Sequence, residues 1–363
     1  MTDFSPFIQP APMEGGGAYN RSSRVQAAGL LPGVALLEQA AKAVALMAPP
    51  HPIVIADYGC SQGHNSLLPM AAAITRLRER VGADRAIAVV HTDLPDSDFT
   101  ALFRTLSVDP DSYLRADPAT FASAVGRSIY EQILPAASVT LGWSSWAIQW
   151  LSRVPAPIPD QVQVAYSRDP ATRAAYAQQA AEDWRTFLAS RSRELCPGAR
   201  LVVLSMAVDD AGEFGYRPLL EAIFAALTEM TAEGFLRADE VRRMAIPTVG
   251  RSRADFAAPF VQSGRFKDLS IEYLEVFCGE DRIWAEFETA GDACAFGAQW
   301  AAFSRASVFP TLAAALDGGR DEPRSVQFLE RLEAGVAERL AASPERMLIP
   351  LAKMLLAKDT ASR

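Results

Sequence analysis

Ile55-Ala56-Asp57-Tyr58-Gly59-Cys60-Ser61-Gln62-Gly63-His64-Asn65-Ser66 decides how this chain is read. An apolar run breaks into acid-x-Gly-x-x-x-Gly, the pattern of a strand that delivers a tight loop against a nucleoside-bearing ligand. Gly59 and Gly63 leave no Cβ to obstruct a close approach. A carboxylate inside the turn, here Asp57, suits a cationic or hydroxyl-rich ligand better than a pyrophosphate. A plain strand-to-helix connection with a satisfied acid would look much the same, so neighbouring segments must decide.

Two segments do. Ala88-Val89-Val90-His91-Thr92-Asp93-Leu94-Pro95 is a second buried-strand run ending in an acid, placed as a nucleotide-binding sheet places the carboxylate that holds a ribose diol. Asp93 is the candidate ribose ligand, and the Asp57 carboxylate inside the turn points to S-adenosylmethionine rather than NAD. No Gly-x-Gly-x-x-Gly follows the first strand, which disfavours a nicotinamide-dependent dehydrogenase. Upstream, Met13-Glu14-Gly15-Gly16-Gly17-Ala18-Tyr19-Asn20-Arg21-Ser22-Ser23-Arg24-Val25-Gln26 joins a flexible glycine run to a helix-like start.

Four strings now stand in order: Gly-Gly-x-x-Tyr-x-x-x-Ser-x-x-Gln, the Ala-Asp-x-Gly-Cys-Ser-x-Gly-x-Asn turn, the Asp-Leu-Pro-x-x-Asp-Phe acid loop, and Ser144-Ser145-Trp146-Ala147-Ile148-Gln149-Trp150-Leu151-Ser152-Arg153-Val154-Pro155. In order and separation the chain resembles the SABATH methyltransferases, which move a methyl group from S-adenosylmethionine to a carboxylate or ring nitrogen of a small metabolite. Weaker matches at Pro197-Gly198, Met230 to Gly234, Ile246-Pro247 and Arg305-Ala306 extend the resemblance over nearly the whole chain.

The resemblance implies residue roles. Asp57 falls near the methionine end of the cofactor, with Gly59 supplying the turn. Ser23 and Asn65 match residues that hold the amino-acid portion, and Tyr19 joins the cofactor contacts. Asp93 and Leu94 match the pair at the ribose hydroxyls and adenine, and Ser128-Ile129 stands where the family has Ser-Phe beside the adenine ring. Gln26 and Trp150 match the pair that holds the substrate carboxylate, each donating one hydrogen bond, and are the candidate catalytic residues. Trp146 replaces a common Tyr, Gln149 stands where His or Met is common, and both reshape the acceptor pocket. Phe309 falls where Glu is usual, a change without an evident chemical reading. The implied reaction is methylation of a small carboxylic acid to its methyl ester, without a general base and without a metal. N-methylation of a small heterocycle, or a non-catalytic ligand-binding homologue, are the alternatives.

Composition sets bounds. With 363 residues and 50% hydrophobic content the chain can bury a large core and exceeds one compact domain. A net charge of −8, with no Lys/Arg cluster interleaved with aromatics, argues against nucleic acid. No apolar run reaches membrane-spanning length, so a cytoplasmic protein with no membrane partner is expected, and a homodimer is compatible with it. Cys60, Cys196, Cys278 and Cys294 are scattered and read as free thiols. Among His51, His64 and His91, His64 draws notice because it lies in the glycine turn.

Apolar spacing predicts helices over 26–48, 66–82, 98–107, 119–132 and 170–195, and strands at 86–91, 139–142 and 200–206. This alternation argues for an α/β Rossmann-like methyltransferase sheet with helices on both faces. Helices at 217–232 and 236–244, with a strand pair near 270–287, suggest a mainly helical cap. The expected divisions are a cofactor-binding core with N-terminal arm at 1–208, a substrate cap at 209–310, and a C-terminal return at 311–363. Within that return, 326–342 reads as a solvent-facing helix, while 347–357 fits either a last strand or a helix.

Overall fold

The computed structural model describes Met13, residues 24–319 and residues 322–360, with backbone only for 24–28. Tyr19 and Ser23 lie outside the described residues, as does the side chain of Gln26. One eight-stranded sheet runs through the described chain in the order β3-β2-β1-β4-β5-β8-β7-β6. Its strands are β1 (Ile53–Tyr58), β2 (Ile87–Asp93), β3 (Thr120–Gly126), β4 (Val139–Ser145), β5 (Leu195–Met206), β6 (Arg265–Phe266), β7 (Leu269–Cys278) and β8 (Pro350–Lys358). From β3 to β5 the pairing is parallel, and β8 and β7 add on antiparallel.

Period-two alternation divides the core between two faces. Ile53 and Ile55 of β1 and Val202 and Leu204 of β5 point to one side, where the helices Arg24–Ala43 and His64–Val81 pack. Ala56 and Tyr58, with Leu201 and Val203, point to the other, against Trp184, Phe187 and Leu188 of the helix Pro170–Glu194. Helices cover both faces, as a mostly parallel sheet requires. No helix among the described residues is long and apolar enough to cross a membrane.

Three local expectations change. Residues 119–132 form strand β3 and a following turn rather than a helix: Ala and Ser permit either state, and parallel pairing with β2 decides for the edge strand, leaving Phe121 61% exposed. The 270–287 segment gives β7 and then the helix Arg282–Ala290, started by the Asp281 carboxylate accepting from Trp284 N at 2.9 Å. The helix Ser325–Ala342 is amphipathic rather than solvent-facing, burying Phe328, Leu332, Val336 and Leu340. Residues 209–310 contribute helices Arg217–Ala232, Ala238–Arg243, Arg253–Ala257, Arg282–Ala290 and Ala293–Ser307, yet their β6 and β7 belong to the main sheet. Residues 347–357 are resolved in favour of a strand, β8.

The last turn of the helix Pro170–Glu194 buries a charge cluster completely. Arg191 Nη2 and Glu194 Oε1 meet at 2.9 Å, both fully buried. Glu194 also accepts from Tyr58 at 2.7 Å and from the backbone N–H groups of Ile133 and Leu134. Arg191 donates to the carbonyls of Ile129 and Glu131 at 2.9 and 2.7 Å, with its guanidinium 4.2 Å from the Tyr58 ring centre. The pair thereby clamps residues 129–134 to the sheet. Removing one partner strands the other charge in an apolar interior, so Glu194→Ala or Arg191→Met is expected to cost about 3–5 kcal/mol in denaturant unfolding.

Candidate functional site

The strand order reverses at β1. After β1 the chain builds outward through β2 and β3, then returns to lay β4 on the opposite side of β1. Loops leaving the carboxyl ends of β1 and β4 therefore diverge and open a crevice, the usual ligand position in open α/β sheets. A cavity of about 510 Å³ lies there.

Its first wall comes from the sheet ends: Gly59, Ser61, Asp93, Leu94, Ser128 and Ile129. Gly59 has φ +96°, and a Cβ on it would lie 2.5 Å from Ala147 Cβ, so only glycine fits. Ser61, at φ 48°, and Trp146, at φ 56°, are left-handed non-glycine residues lining the cavity, one after β1 and one after β4. Backbone held in this region stores strain of roughly 1–3 kcal/mol per residue, which the surrounding packing offsets.

Asp93 is braced by three donors: Ser61 N at 2.7 Å on Oδ2, and Leu94 N at 2.8 Å and Ser97 Oγ at 2.5 Å on Oδ1. A carboxylate has about four acceptor sites, so one remains on Oδ2 for an incoming hydroxyl, and a second opens if Ser97 rotates. Burial raises the Asp93 pKa above the usual carboxylate value, against the opposing pull of the Ser97, Ser61 and Leu94 hydrogen bonds. A diol ligand fits this acceptor, and the close approach at Gly59 fits the rest of a nucleoside-bearing cofactor. Beside it, the Ile129 side chain packs on the core cluster behind the sheet.

Asp57 stands elsewhere. It is 2% exposed and is not part of the cavity wall. Its Oδ2 accepts from Ser66 Oγ at 2.6 Å and contacts Nδ1 of the fully buried His91 at 2.8 Å. His91 Nε2 meets the Tyr113 hydroxyl at 2.7 Å. Asp57 and His91 sit at matched register on β1 and β2, so parallel pairing puts them side by side. The sequence contained both residues, and reading the two strands in register would have found the contact. Asn65 is half-buried in the first turn of the helix His64–Val81, outside the cavity wall. His64 is 49% exposed, lies 3.4 Å from Asp109 and does not line the cavity. Cys60 is buried, and desolvation together with the charges of Asp93 and Asp57 pushes its thiol pKa well up, so it is an inert thiol.

The opposite wall begins at the loop after β4, with Trp146, Gln149 and Trp150. This loop is held from several directions. Trp150 forms an antiparallel bridge with Thr248, flanked by Leu151 N to Pro247 O at 2.8 Å and Val249 N to Gln149 O at 2.9 Å. The buried Arg251 donates to the Ile148 carbonyl at 2.6 Å, the Tyr130 hydroxyl to the Trp150 carbonyl, and Ser152 N and Oγ to Asp183 at 2.8 and 2.7 Å. Gln149 uses its amide internally, donating to the Trp146 carbonyl at 2.6 Å and accepting from Ser205 at 3.2 Å. Its side chain therefore fixes the loop as well as lining the cavity.

Trp146 Nε1 is buried without a partner among the described residues. A Cβ on Gly29 would lie 2.8 Å from Trp146 Cζ2, so this glycine lets the first turns of the helix Arg24–Ala43 settle on the indole. Gln26 sits one turn earlier on that helix, its side chain outside the described residues.

The remaining wall comes from residues the sequence did not single out: Phe214, Tyr216, Leu219, Ile223, Phe303 and Ser304. They stand near or on the helices Arg217–Ala232 and Ala293–Ser307, where apolar spacing identifies a buried face without saying whether it meets core or cavity. Phe309 is fully buried in the core and absent from the cavity wall, so apolar packing occupies the position where the family resemblance implied a charge.

Replacing Tyr113 with Phe leaves His91 Nε2 without its partner in a sealed interior. The expected loss is about 1–3 kcal/mol of folding stability by denaturant titration, because a buried polar group is left unsatisfied.

Comparison with known proteins bears on this arrangement. A family model described as SAM dependent carboxyl methyltransferase matches residues 10–349. Methyltransferase FUS9 of Gibberella fujikuroi is 28% identical over 267 residues, covering 72% of this chain and 71% of that protein. Salicylate carboxymethyltransferase of Clarkia breweri is 28% identical over 250 residues, covering 66% of this chain and 67% of that protein. Among solved structures, loganic acid methyltransferase with SAH superimposes at a TM-score of 0.79 with 19% identity, covering 96% of this chain and 99% of that one, and shares its fold. The family match over most of the chain, on a sheet of this doubly wound order, shows that this protein belongs to the SABATH family of S-adenosylmethionine-dependent carboxyl methyltransferases.

Proposed function

We propose that the protein methylates the carboxylate of a small organic acid, giving a methyl ester, with the acid seated between Trp150 and the wall built by residues 214–223 and 303–308. The observation that carries this reading is the cavity itself: a braced carboxylate, Asp93, lines one part of it, and two indoles, Trp146 and Trp150, line another. Asp93, Leu94, Ser128 and Ile129 hold the nucleoside portion of the cofactor. Tyr19, Ser23, Asp57, Gly59 and Asn65 shape or contact its remainder, Asp57 acting through the packed Ser66 and His91 rather than by contact. S-adenosylmethionine held by these residues would supply an electrophilic sulfonium methyl, the C–S bond breaking as the O–C bond to the carboxylate forms and S-adenosylhomocysteine leaving.

The chain's own task is then orientation and water exclusion. A carboxylic acid with a pKa near 4 is about a thousandfold ionised at neutral pH, so no residue has to remove a proton. The cavity wall supports this. It contains no histidine among the described residues, and of its two acids Asp93 is braced as above while Glu131 pairs with Arg127 at 3.0 Å. Trp150 and Gln26 each donate one hydrogen bond to the carboxylate, fixing the attacking oxygen. Positioning of this kind is worth at most ~7–11 kcal/mol of barrier. The apolar residues of 214–223 and 303–308 exclude water from a step in which opposite charges neutralise, which favours the reaction over its solvated reference.

Trp150→Phe keeps most of the packing and deletes one donor. Turnover (kcat/KM) with the best acid is expected to fall by about 1–3 kcal/mol in transition-state terms while cofactor affinity is unchanged. Equal loss of cofactor binding by calorimetry would assign Trp150 to the fold instead.

Asp93→Ala is expected to weaken cofactor binding by about 2–3 kcal/mol. Only the ionised Asp93 accepts both ribose hydroxyls, so affinity is present above its pKa and lost as pH falls through it. Because burial raises that pKa, the loss on acidification begins at a higher pH than an exposed aspartate would give. Calorimetric titration of S-adenosylhomocysteine from pH 7 downward tests this, and Asp93→Asn should flatten the profile.

A further inference from the structure

Tyr216 stands just before the helix Arg217–Ala232, is 3% exposed and lines the cavity. Its ring packs among aromatics: parallel to Phe303 at 6.5 Å between ring centres, edge-on to Trp300 at 6.3 Å, and tilted against Phe214 at 5.3 Å. Its hydroxyl has no hydrogen-bond partner among the described residues. A buried donor left in this condition is costly unless something that enters the cavity satisfies it. Burial, with the Asp281 charge adding to it, pushes the phenol pKa upward, so the group remains a donor across the working pH range.

The neighbouring helix completes a pattern. Ser304 and Ser307 also line the cavity, one and four residues beyond Phe303. Each spends its hydroxyl proton on a helix carbonyl, Ser304 on Trp300 O at 2.9 Å and Ser307 on Phe303 O at 2.6 Å. Toward a ligand they can therefore only accept. An otherwise apolar wall of Phe214, Leu219, Ile223 and Phe303 thus carries one unpaired donor and two acceptors. A hydroxyl group, which accepts one hydrogen bond and donates another, matches that set. A carbonyl would use the donor alone, and a bare hydrocarbon neither.

We propose that Tyr216, with Ser304 and Ser307, selects acceptor acids that carry a hydroxyl group in addition to the carboxyl that receives the methyl. This rests on the reading above that the cavity seats a carboxylic acid, and Trp150 keeps its role at the carboxyl. Tyr216 is a specificity-determining contact and takes no part in the methyl transfer itself.

The test pairs acids of one skeleton with and without the hydroxyl: phenylacetate with 4-hydroxyphenylacetate, 3-phenylpropanoate with its 4-hydroxyphenyl counterpart, and octanoate with 8-hydroxyoctanoate. Binding to the S-adenosylhomocysteine complex is read by calorimetry, and methyl transfer by product mass. The wild type should favour the hydroxylated member of at least one pair by roughly 5- to 100-fold, the range for pairing a buried donor. Tyr216→Phe should erase that preference by weakening the hydroxylated member of the pair more than the plain one. Thermal melting should place the variant at or above the wild type, since an unpaired hydroxyl has left an apolar site. A preference absent from all pairs, the absence of any acid binding, or a Tyr216→Phe variant that weakens both members equally would overturn the proposal. Binding preference without any methyl product would keep the Tyr216 assignment and defeat the proposed carboxyl methylation instead.

Discussion

Parallel pairing of β1 between β2 and β4 is the constraint from which the site follows. Because the connections run outward in opposite senses from that strand, they leave a crevice beyond its carboxyl end, and the loops after β1, β2 and β4 line it. Two of those loops turn through left-handed non-glycine residues, Ser61 and Trp146. Such conformations persist only where the surroundings over-determine them. Here the surroundings are explicit: Asp93 takes the Ser61 N–H, while Leu204 O receives the Trp146 N–H at 3.0 Å. Behind the loops, the Ser66, Asp57, His91 and Tyr113 chain ties β1, β2 and two helices together without reaching the cavity.

The two principal walls are mechanically joined. Arg191 and Glu194 grip residues 129–134, and Tyr130 within that grip donates to the Trp150 carbonyl in the loop after β4. Arg251 adds a second tie, from the Ile148 carbonyl to the Ala180 carbonyl of the helix Pro170–Glu194 at 2.9 Å. A buried ion pair of this kind contributes little net stability relative to a well-packed apolar equivalent, because desolvation offsets the Coulombic gain. Its visible consequence here is positional. The helix that closes one face of the sheet also sets where the Ser128-Ile129 segment and the Trp150 loop sit.

The third wall has a different character. Tyr216, Trp300 and Phe303 form a connected aromatic cluster between two helices, with Phe214 at its edge. Family membership determines the cofactor and the type of transfer, whereas this wall differs in kind from the sheet ends: it is apolar, with a few polar atoms placed singly. A pocket of that composition orients its ligand by the polar atoms and holds it by area. On the proposed reading, acceptor choice resides in those few atoms more than in the sheet ends.

The sequence by itself determined the class of fold, the cofactor and the principal loops, because each rests on local information. Asp57-x-Gly59, Asp93-Leu94 and Ser144 to Pro155 are contiguous strings whose chemistry can be read in place, and the strand-helix alternation that surrounds them has strong periodicity. Tertiary structure decided whatever depends on pairing across the chain. Residues 120–126 became a strand because β2 offered an edge, and 350–358 became one because β5 did. Asp57 lies in a buried hydrogen-bonded network because His91 stands beside it in the sheet. The third cavity wall was the least legible part. An apolar helical stripe at 219–223 or an aromatic at 303 has the same spacing whether it fills a core or lines a cavity, and only the packing of two helices over the sheet ends left that space open.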